Sequence, residues 1–356
     1  MKDFGDMAVL CLPFTAGTAA GAAMAGAAGG GAAGAALAAA AGLLAFVSVR
    51  KRTGILPYCA LFFLLGLFCF LSSGLRPPSG PGPLTDLSSR ALGRLRRLIG
   101  SLPVDSNTTR VLILALLTGD RSGLTAEQTA AFRDSGASHI LALSGLHLGV
   151  IYLIVSRLLS VFGNSVPARR VRSVSCILLA GCYTLATGAG PSIVRAFLFI
   201  LIRETCAMFP ERRTSPSRTL MAALTVQLAL EPQVIGSLGF QLSYLAMTGI
   251  VLLYPRLSAW YPEGFSLILR RIWNGTALAV SCQVFTAPLA WIRFHSFPRY
   301  FILTNLLALP LTSAFIAASV TAIALQGLGG CPPLLVSVCD ALAQTLLFVL
   351  RVISSL

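Results

Sequence analysis

The feature that most constrains this chain is where its charges are missing. Residues 300–339 contain no Asp, Glu, Lys, Arg or His, and shorter uncharged apolar runs recur along the rest of the sequence. An apolar run of about 20 residues crosses the hydrocarbon core of a bilayer as a helix that satisfies its own backbone groups. Composition agrees, because 56% of the residues are hydrophobic and only 11% are charged, a balance outside that of soluble domains. Tiling the sequence with such runs predicts an all-α, polytopic integral membrane helix bundle of roughly ten or eleven spans with interfacial amphipathic helices.

The Ala/Gly-rich block 8–49 carries Gly17-xxx-Gly21, Gly26-xxx-Gly30 and Gly30-xxx-Gly34, spacings that let helix backbones approach closely in lipid. It suits two spans turning near Gly29-Gly30-Gly31. The start MKDFGD lacks the net positive charge of a signal-peptide n-region, so a retained hairpin is expected. The cationic knot Arg50-Lys51-Arg52 precedes a third span at 55–71 and should face the cytoplasm. After the proline- and glycine-rich link RPPSGPGPLTD, residues 86–102 become amphipathic. Leu87, Leu95, Leu98, Ile99 and Leu102 share one side, and Arg90, Arg94, Arg96 and Arg97 the other, a pattern for lying in the membrane interface or for offering arginines to phosphates.

A short apolar helix at 111–117 should halt at Thr118-Gly119-Asp120, and Thr125 with Gln128 forms a capping box for a helix that stops near Gly136. The stretch SHILALSGLHLGV follows, and with IYLIVSRLL it is long enough for one more span. Later spans are expected at 173–189, 191–209, 218–235, 237–255, 272–292, 300–326 and 333–353. Loop arginines alternate between the two sides until Arg293 and Arg299, so either the run around Pro310 is re-entrant or the tiling is off by one. The resulting division is 1–72 for N-terminal spans, 73–110 for a linker with the Arg-rich helix, 111–330 for the main membrane domain and 331–356 for a C-terminal span.

The chain has 27 Lys+Arg against 12 Asp+Glu, nearly all the cations being arginine. The excess serves either orientation by the positive-inside rule or attraction of a polyanion. Neither lysine sits in a phosphate-binding loop, so P-loop NTP hydrolysis is excluded. No zinc hydrolase motif occurs, His139, His147 and His295 are not spaced as a metal site, and the nine cysteines, with no CxxC pair, read as small apolar residues. Ser144 and His147 lie three apart, yet ALSGLHLG is not a GxSxG elbow. No catalytic residue, metal or cofactor is therefore expected. Polar side chains nevertheless recur inside the apolar runs: His139, Ser144, His147, Arg195, Gln241, Ser243, Gln283, Asn305, Asp340 and Gln344. Singly, each has a structural explanation in snorkelling or interhelical bonding. Together they suggest a polar lumen.

The segment LLTGDRSGLTAEQTAAFRDSGASHILALSGLHLGV, with Gly119-Asp120, Arg133, Gly136, His139, Ser144-Gly145 and His147, resembles the signature of the ComEC competence-protein family. PSIVRAF with Pro191, Ser192 and Arg195, GSLGFQLSYLAM with Gln241 and Ser243, and TNLLALPL with Asn305 and Pro310 follow in the family's order. The resemblance spans roughly residues 95–330 and implies a bacterial inner-membrane channel component that conducts single-stranded DNA into the cytoplasm during transformation. It implies Arg195 at the lumen, with Arg133 and the Arg90–Arg97 helix at its entrance. Family members often add a soluble OB-like domain and a metallo-β-lactamase-like domain. The link from Ser72 to Arg110 is too short for the first, and no zinc motif occurs up to Leu356, so a membrane core alone is expected. Its expected partners are single-stranded DNA, the lipid bilayer, a cytoplasmic ATPase, helicase or DNA-binding protein, separate OB or nuclease subunits, and other copies of itself. The alternatives are a secondary transporter of a small anionic solute, or a noncatalytic scaffold or relic.

Overall fold

Apolar runs close into helices here, and cap residues and glycines set where each one starts and stops. A computed structural model describes residues 2–27, 55–73, 83–104, 106–209, 214–261, 266–295 and 299–355, and among them every regular element is helical. The first elements are α1 (Lys2–Ala27), α2 (Ile55–Ser73), α3 (Pro83–Gly100), α4 (Asn107–Thr118), α5 (Ala126–Asp134) and the short α6 (Ser138–Leu141). They are followed by α7 (Gly145–Ser160), α8 (Val166–Ala186), α9 (Pro191–Met208) and α10 (Pro216–Leu230). The last are α11 (Leu238–Leu252), α12 (Tyr254–Ala259), α13 (Leu267–Phe294), α14 (Phe301–Gly327) and α15 (Pro333–Ser354). Among the described residues, five helical stretches are long and apolar enough to cross a membrane: Ala8–Ala25, Leu238–Ala259, Leu267–Phe294, Phe301–Gly327 and Pro333–Ser354. The Gly30 and Gly34 spacings, the turn at Gly29-Gly30-Gly31, the Arg50-Lys51-Arg52 knot, residues 76–82 of the proline-rich link and the loop arginines Arg212 and Arg213 lie outside the described residues, whereas the last four residues of that link open α3.

The chain forms two compact units, each assembled from two separate segments. The first comprises Met1–Gly82 and Leu201–Tyr244. Here α1 and α2 meet backbone to backbone: a Cβ at Gly17 would strike the carbonyl of Phe63, and one at Gly66 the carbonyl of Phe14. The expected close approach at Gly17 and Gly21 is thus present, with Gly66 as its reciprocal partner. Helix α10 begins where the Ser215 hydroxyl accepts the Arg218 N–H at 3.3 Å, with Pro216 at its first position. Its apolar run ends at Leu230, because Pro232 opens a 3-10 turn over Pro232–Gly236. The buried Tyr244 hydroxyl then donates to Gln227 Oε1 at 2.9 Å.

The second unit comprises Pro83–Ile200 and Leu245–Leu356. Its main core sets α14 and α15 against α3–α6, with Ile99, Leu112, Leu116, Phe132, Phe315 and Leu346 fully buried. On α15 the buried positions Val336, Cys339, Ala343, Leu346, Leu347 and Leu350 recur at helical spacing, so one stripe faces the core. A second cluster joins α7, α8 and the start of α9 through Leu148, Tyr152, Cys176, Ala180 and Ile193.

Two further details bear on the expectations. Helix α14 runs unbroken through Pro310, so the run around that proline is not re-entrant. The missing proline N–H frees one carbonyl in the preceding turn without ending the helix. The arginine-rich α3 packs onto the unit's core through Leu95, Leu98 and Ile99, whereas Leu87, grouped with them by helical spacing, is 59% exposed. Ser88 anchors that outer end instead, donating to the Leu185 carbonyl at 2.7 Å.

Candidate functional site: a broken helix beside a buried arginine

Residues 138–150 do not form one span. Helix α6 lasts four residues, Ala142 turns extended (φ −73°, ψ 129°), and Ser144 stays extended before α7 begins at Gly145. At 1.5 Å per residue, the 16 residues of α7 reach about 24 Å, short of a hydrocarbon core of about 30 Å. Irregular backbone among apolar helices is tolerated only where its polar groups are satisfied, and the local sequence supplies the partners. Arg121 Nη2 donates to the Leu141 carbonyl at 2.9 Å, and the Ala142 N–H donates to the Ser138 carbonyl at 3.3 Å. The Ser144 hydroxyl accepts the Leu146 N–H at 3.3 Å, while the Ser144 N–H donates to His147 Nδ1 at 3.0 Å.

That last bond explains the histidine. His147 occupies the capping-box position that Glu or Gln fills elsewhere. Because Nδ1 accepts a backbone proton, the neutral ring carries its hydrogen on Nε2. Ser144 and His147 together open the helix, and the Ser144 hydroxyl also lies 3.0 Å from His147 Nδ1. Ser144→Ala should lower thermal stability by about 0.5–2 kcal/mol through loss of the cap. His147→Gln, whose amide oxygen can accept the same N–H, should unfold at a higher temperature than His147→Ala; equal melting temperatures for the two would show that the cap contributes nothing.

The residues around the break come from distant parts of the sequence. Gly119 ends α4 in the left-handed region (φ 78°), a conformation that favours glycine, and a Cβ there would lie 2.8 Å from Leu143 Cδ1 and push that side chain aside. Asp120 accepts the Ser122 hydroxyl at 2.6 Å and its N–H at 3.2 Å, and faces Arg96 at 3.1 Å. These contacts, the Ser122 hydroxyl foremost, hold its carboxyl below the usual range. Gly136 also takes a positive φ (78°), and its carbonyl lies 3.1 Å from His139 Nδ1. The side chain of Asn305 lies near His139, and the neighbouring Thr304 hydroxyl donates to the Ser135 carbonyl at 2.7 Å.

Arg195 completes the site. It stands one turn into α9, which begins at Pro191 and Ser192, and is only 8% exposed. Its Nη2 lies 3.0 Å from where a Cβ of Gly145 would be, and the Ala196 methyl lies 3.2 Å from the same point. Gly145 is therefore the place where a guanidinium approaches the first residue of α7. Both the cation and the helix start present positive charge, an arrangement suited to negatively charged groups.

Other sequence-selected residues lie elsewhere. Arg133 is exposed at the end of α5, paired with Asp134 at 2.9 Å. Arg90 pairs with Asp86 at 2.6 Å on the outer face of α3, which also carries Arg94 and Arg97. Pro310 is exposed within α14. Gln241 and Ser243 belong to the first unit, where Gln241 Nε2 donates to the Ile235 carbonyl at 2.8 Å. Two contributors were not selected from the sequence, namely Arg121 and Tyr183, whose hydroxyl donates to the Leu117 carbonyl at 2.9 Å. Arg121 directly follows the Gly119-Asp120 pair, so its position carried a signal; Tyr183, far along the chain, carried none.

The sequence profile of the competence protein family matches residues 116–356. The chain is 26% identical over 209 residues to ComE operon protein 3 of Bacillus subtilis, covering 59% of this chain and 25% of that protein. It is 25% identical over 242 residues to recombination protein 2 of Haemophilus influenzae, covering 65% of this chain and 30% of the relative. An uncharacterized protein of Escherichia coli, YcaI, is 25% identical over 209 residues, covering 57% and 27% respectively. The chain thus spans between a quarter and a third of the length of these relatives. No solved structure matches it.

Proposed function

Since the chain belongs to the competence protein family, we propose that it is the multi-pass inner-membrane core, of roughly ten or eleven spans, through which single-stranded DNA reaches the cytoplasm. The observation that carries this reading is Arg195, buried among apolar helices with its guanidinium against the start of a broken helix. Charge held at that depth is costly, and it persists where it serves a path for ions or polar cargo. A phosphate passing the break would meet the guanidinium and the positive end of α7 together. Bases would move along apolar walls without sequence preference.

A cytoplasmic ATPase, helicase or DNA-binding protein supplies the motive force on this reading, because the chain carries no nucleotide-binding loop. Separate OB-like and nuclease subunits and further copies of the chain complete the assembly. A second reading rests on the same break, since discontinuous helices also bind small anionic solutes in secondary transporters. Purified protein in sealed vesicles distinguishes the two. Labelled single-stranded DNA should enter vesicles containing the protein and stay outside empty ones; proton-driven uptake of a small anion with DNA excluded would establish the transporter instead.

A further inference from the structure

The turn joining α7 to α8 has no part in the site above, and its composition is one-sided. Residues 135–203 contain no Asp or Glu, while Arg157, Arg169, Arg170 and Arg172 gather about the turn at 161–165. Arg157, Arg169 and Arg170 are exposed, and Arg172 Nη1 donates to Asn164 Oδ1 at 3.3 Å, fastening the turn to the start of α8. The neighbouring elements bring no compensating charge. Helix α14, packed on α7, has no charged residue, and Asp86 of α3, packed on α8, is engaged by Arg90. At the tip, Val161 is 81% and Phe162 77% exposed, an apolar pair set among arginines.

We infer that this hairpin tip is a binding site for anionic phospholipid headgroups, with Val161 and Phe162 inserted at the boundary between headgroups and acyl chains. The inference rests on the membrane reading of the chain but not on its cargo. Basic side chains near a membrane surface attract acidic lipids, and the attraction adds with each charge. Aliphatic and aromatic side chains at the same level enter the apolar layer that water would otherwise make costly to leave exposed. Nucleic acid would use the arginines but leave Val161 uncovered, and a stacking platform for a strand needs successive rings. The tip has a single ring, Phe162.

Binding of fluorescent phosphatidylglycerol and phosphatidylcholine to the detergent-solubilised full chain, at low and high salt, tests the inference. The wild type should prefer phosphatidylglycerol, and added salt should weaken the preference. Joint replacement Arg169→Ala, Arg170→Ala and Arg172→Ala should reduce phosphatidylglycerol affinity by about a hundredfold and leave phosphatidylcholine unchanged. The corresponding lysine triple should retain the preference, and Phe162→Ser should weaken both lipids by about tenfold. Equal wild-type affinity for the two lipids would overturn the site, as would a folded alanine triple that keeps the preference. Displacement of phosphatidylglycerol by a labelled single-stranded oligonucleotide at lower concentration would reassign the tip to nucleic acid. If the alanine triple does not fold, the wild-type preference with the lysine and Phe162→Ser variants decides. DNA exclusion in the vesicle assay, with lipid preference intact, would sink the proposed cargo and leave this site standing.

Discussion

Vesicles carrying Arg195→Ala should admit single-stranded DNA at a rate reduced by about tenfold to a hundredfold, while the variant still inserts into the membrane. The magnitude follows from losing a charge-assisted contact of about 1.5–3 kcal/mol with each phosphate that passes the break. Arg195→Lys keeps the charge without the planar fork and should recover part of the rate. Gly145→Val approaches the same point from the other side. Its side chain would occupy the space within 3.0 Å of Arg195 Nη2, so the guanidinium must move although the arginine itself remains. Both variants should then lose transport together. Normal transport by a folded Arg195→Ala protein would remove the residue from the path and leave it a packing element.

A large loss of stability is expected at Gly249, where α11 crosses α13. A Cβ there would collide with the backbone carbonyl of Ser281 and lie 3.0 Å from Phe285 Cδ2. Ser281 is fully buried and its hydroxyl donates to the Ala277 carbonyl at 2.6 Å, so that segment has little freedom to retreat. Forcing added carbons into a filled contact costs about 1–3 kcal/mol, and a valine, branched at the obstructed atom, should fall at the upper end or beyond. Gly93→Ala on α3 provides the opposite case, since a Cβ there meets nothing within 4 Å. Alanine should raise helix stability by up to about 1 kcal/mol through propensity alone. Melting temperatures in detergent should fall for Gly249→Val and hold or rise for Gly93→Ala; the reverse order would refute the crossing.

Helix identity was legible because burial in an apolar medium leaves its mark on composition. The seven later apolar runs became α8 to α11 and α13 to α15, with ends close to those expected at α9, α14 and α15 but displaced by five to seven residues at the start of α8, the end of α10 and the start of α13. Thr125 and Gln128 formed the reciprocal bonds at 3.1 Å that their spacing implies. Glycines at forced conformations were also visible: Gly119 and Gly136 stand where helices stop and the backbone turns left-handed. Periodicity grouped Leu87 with the core-facing residues of α3 but could not report how far along that face the neighbour extends, and Leu87 stays exposed.

The break at 142–144 stayed hidden for a different reason. Apolar composition is the same whether a run forms one helix or two, and the choice depended on partners elsewhere in the chain. Arg121 accepts the task of closing the Leu141 carbonyl, and Leu143 packs where Gly119 has no side chain. By itself the sequence determined that these segments are helical, where most of them end and that arginines dominate the charge, since those outcomes depend on short-range propensity and on exclusion of charge from apolar surroundings. Only the tertiary structure decided that α7 begins beside Arg195 and that Gly249 faces a carbonyl, because both depend on contacts between residues tens of positions apart, which no local pattern encodes.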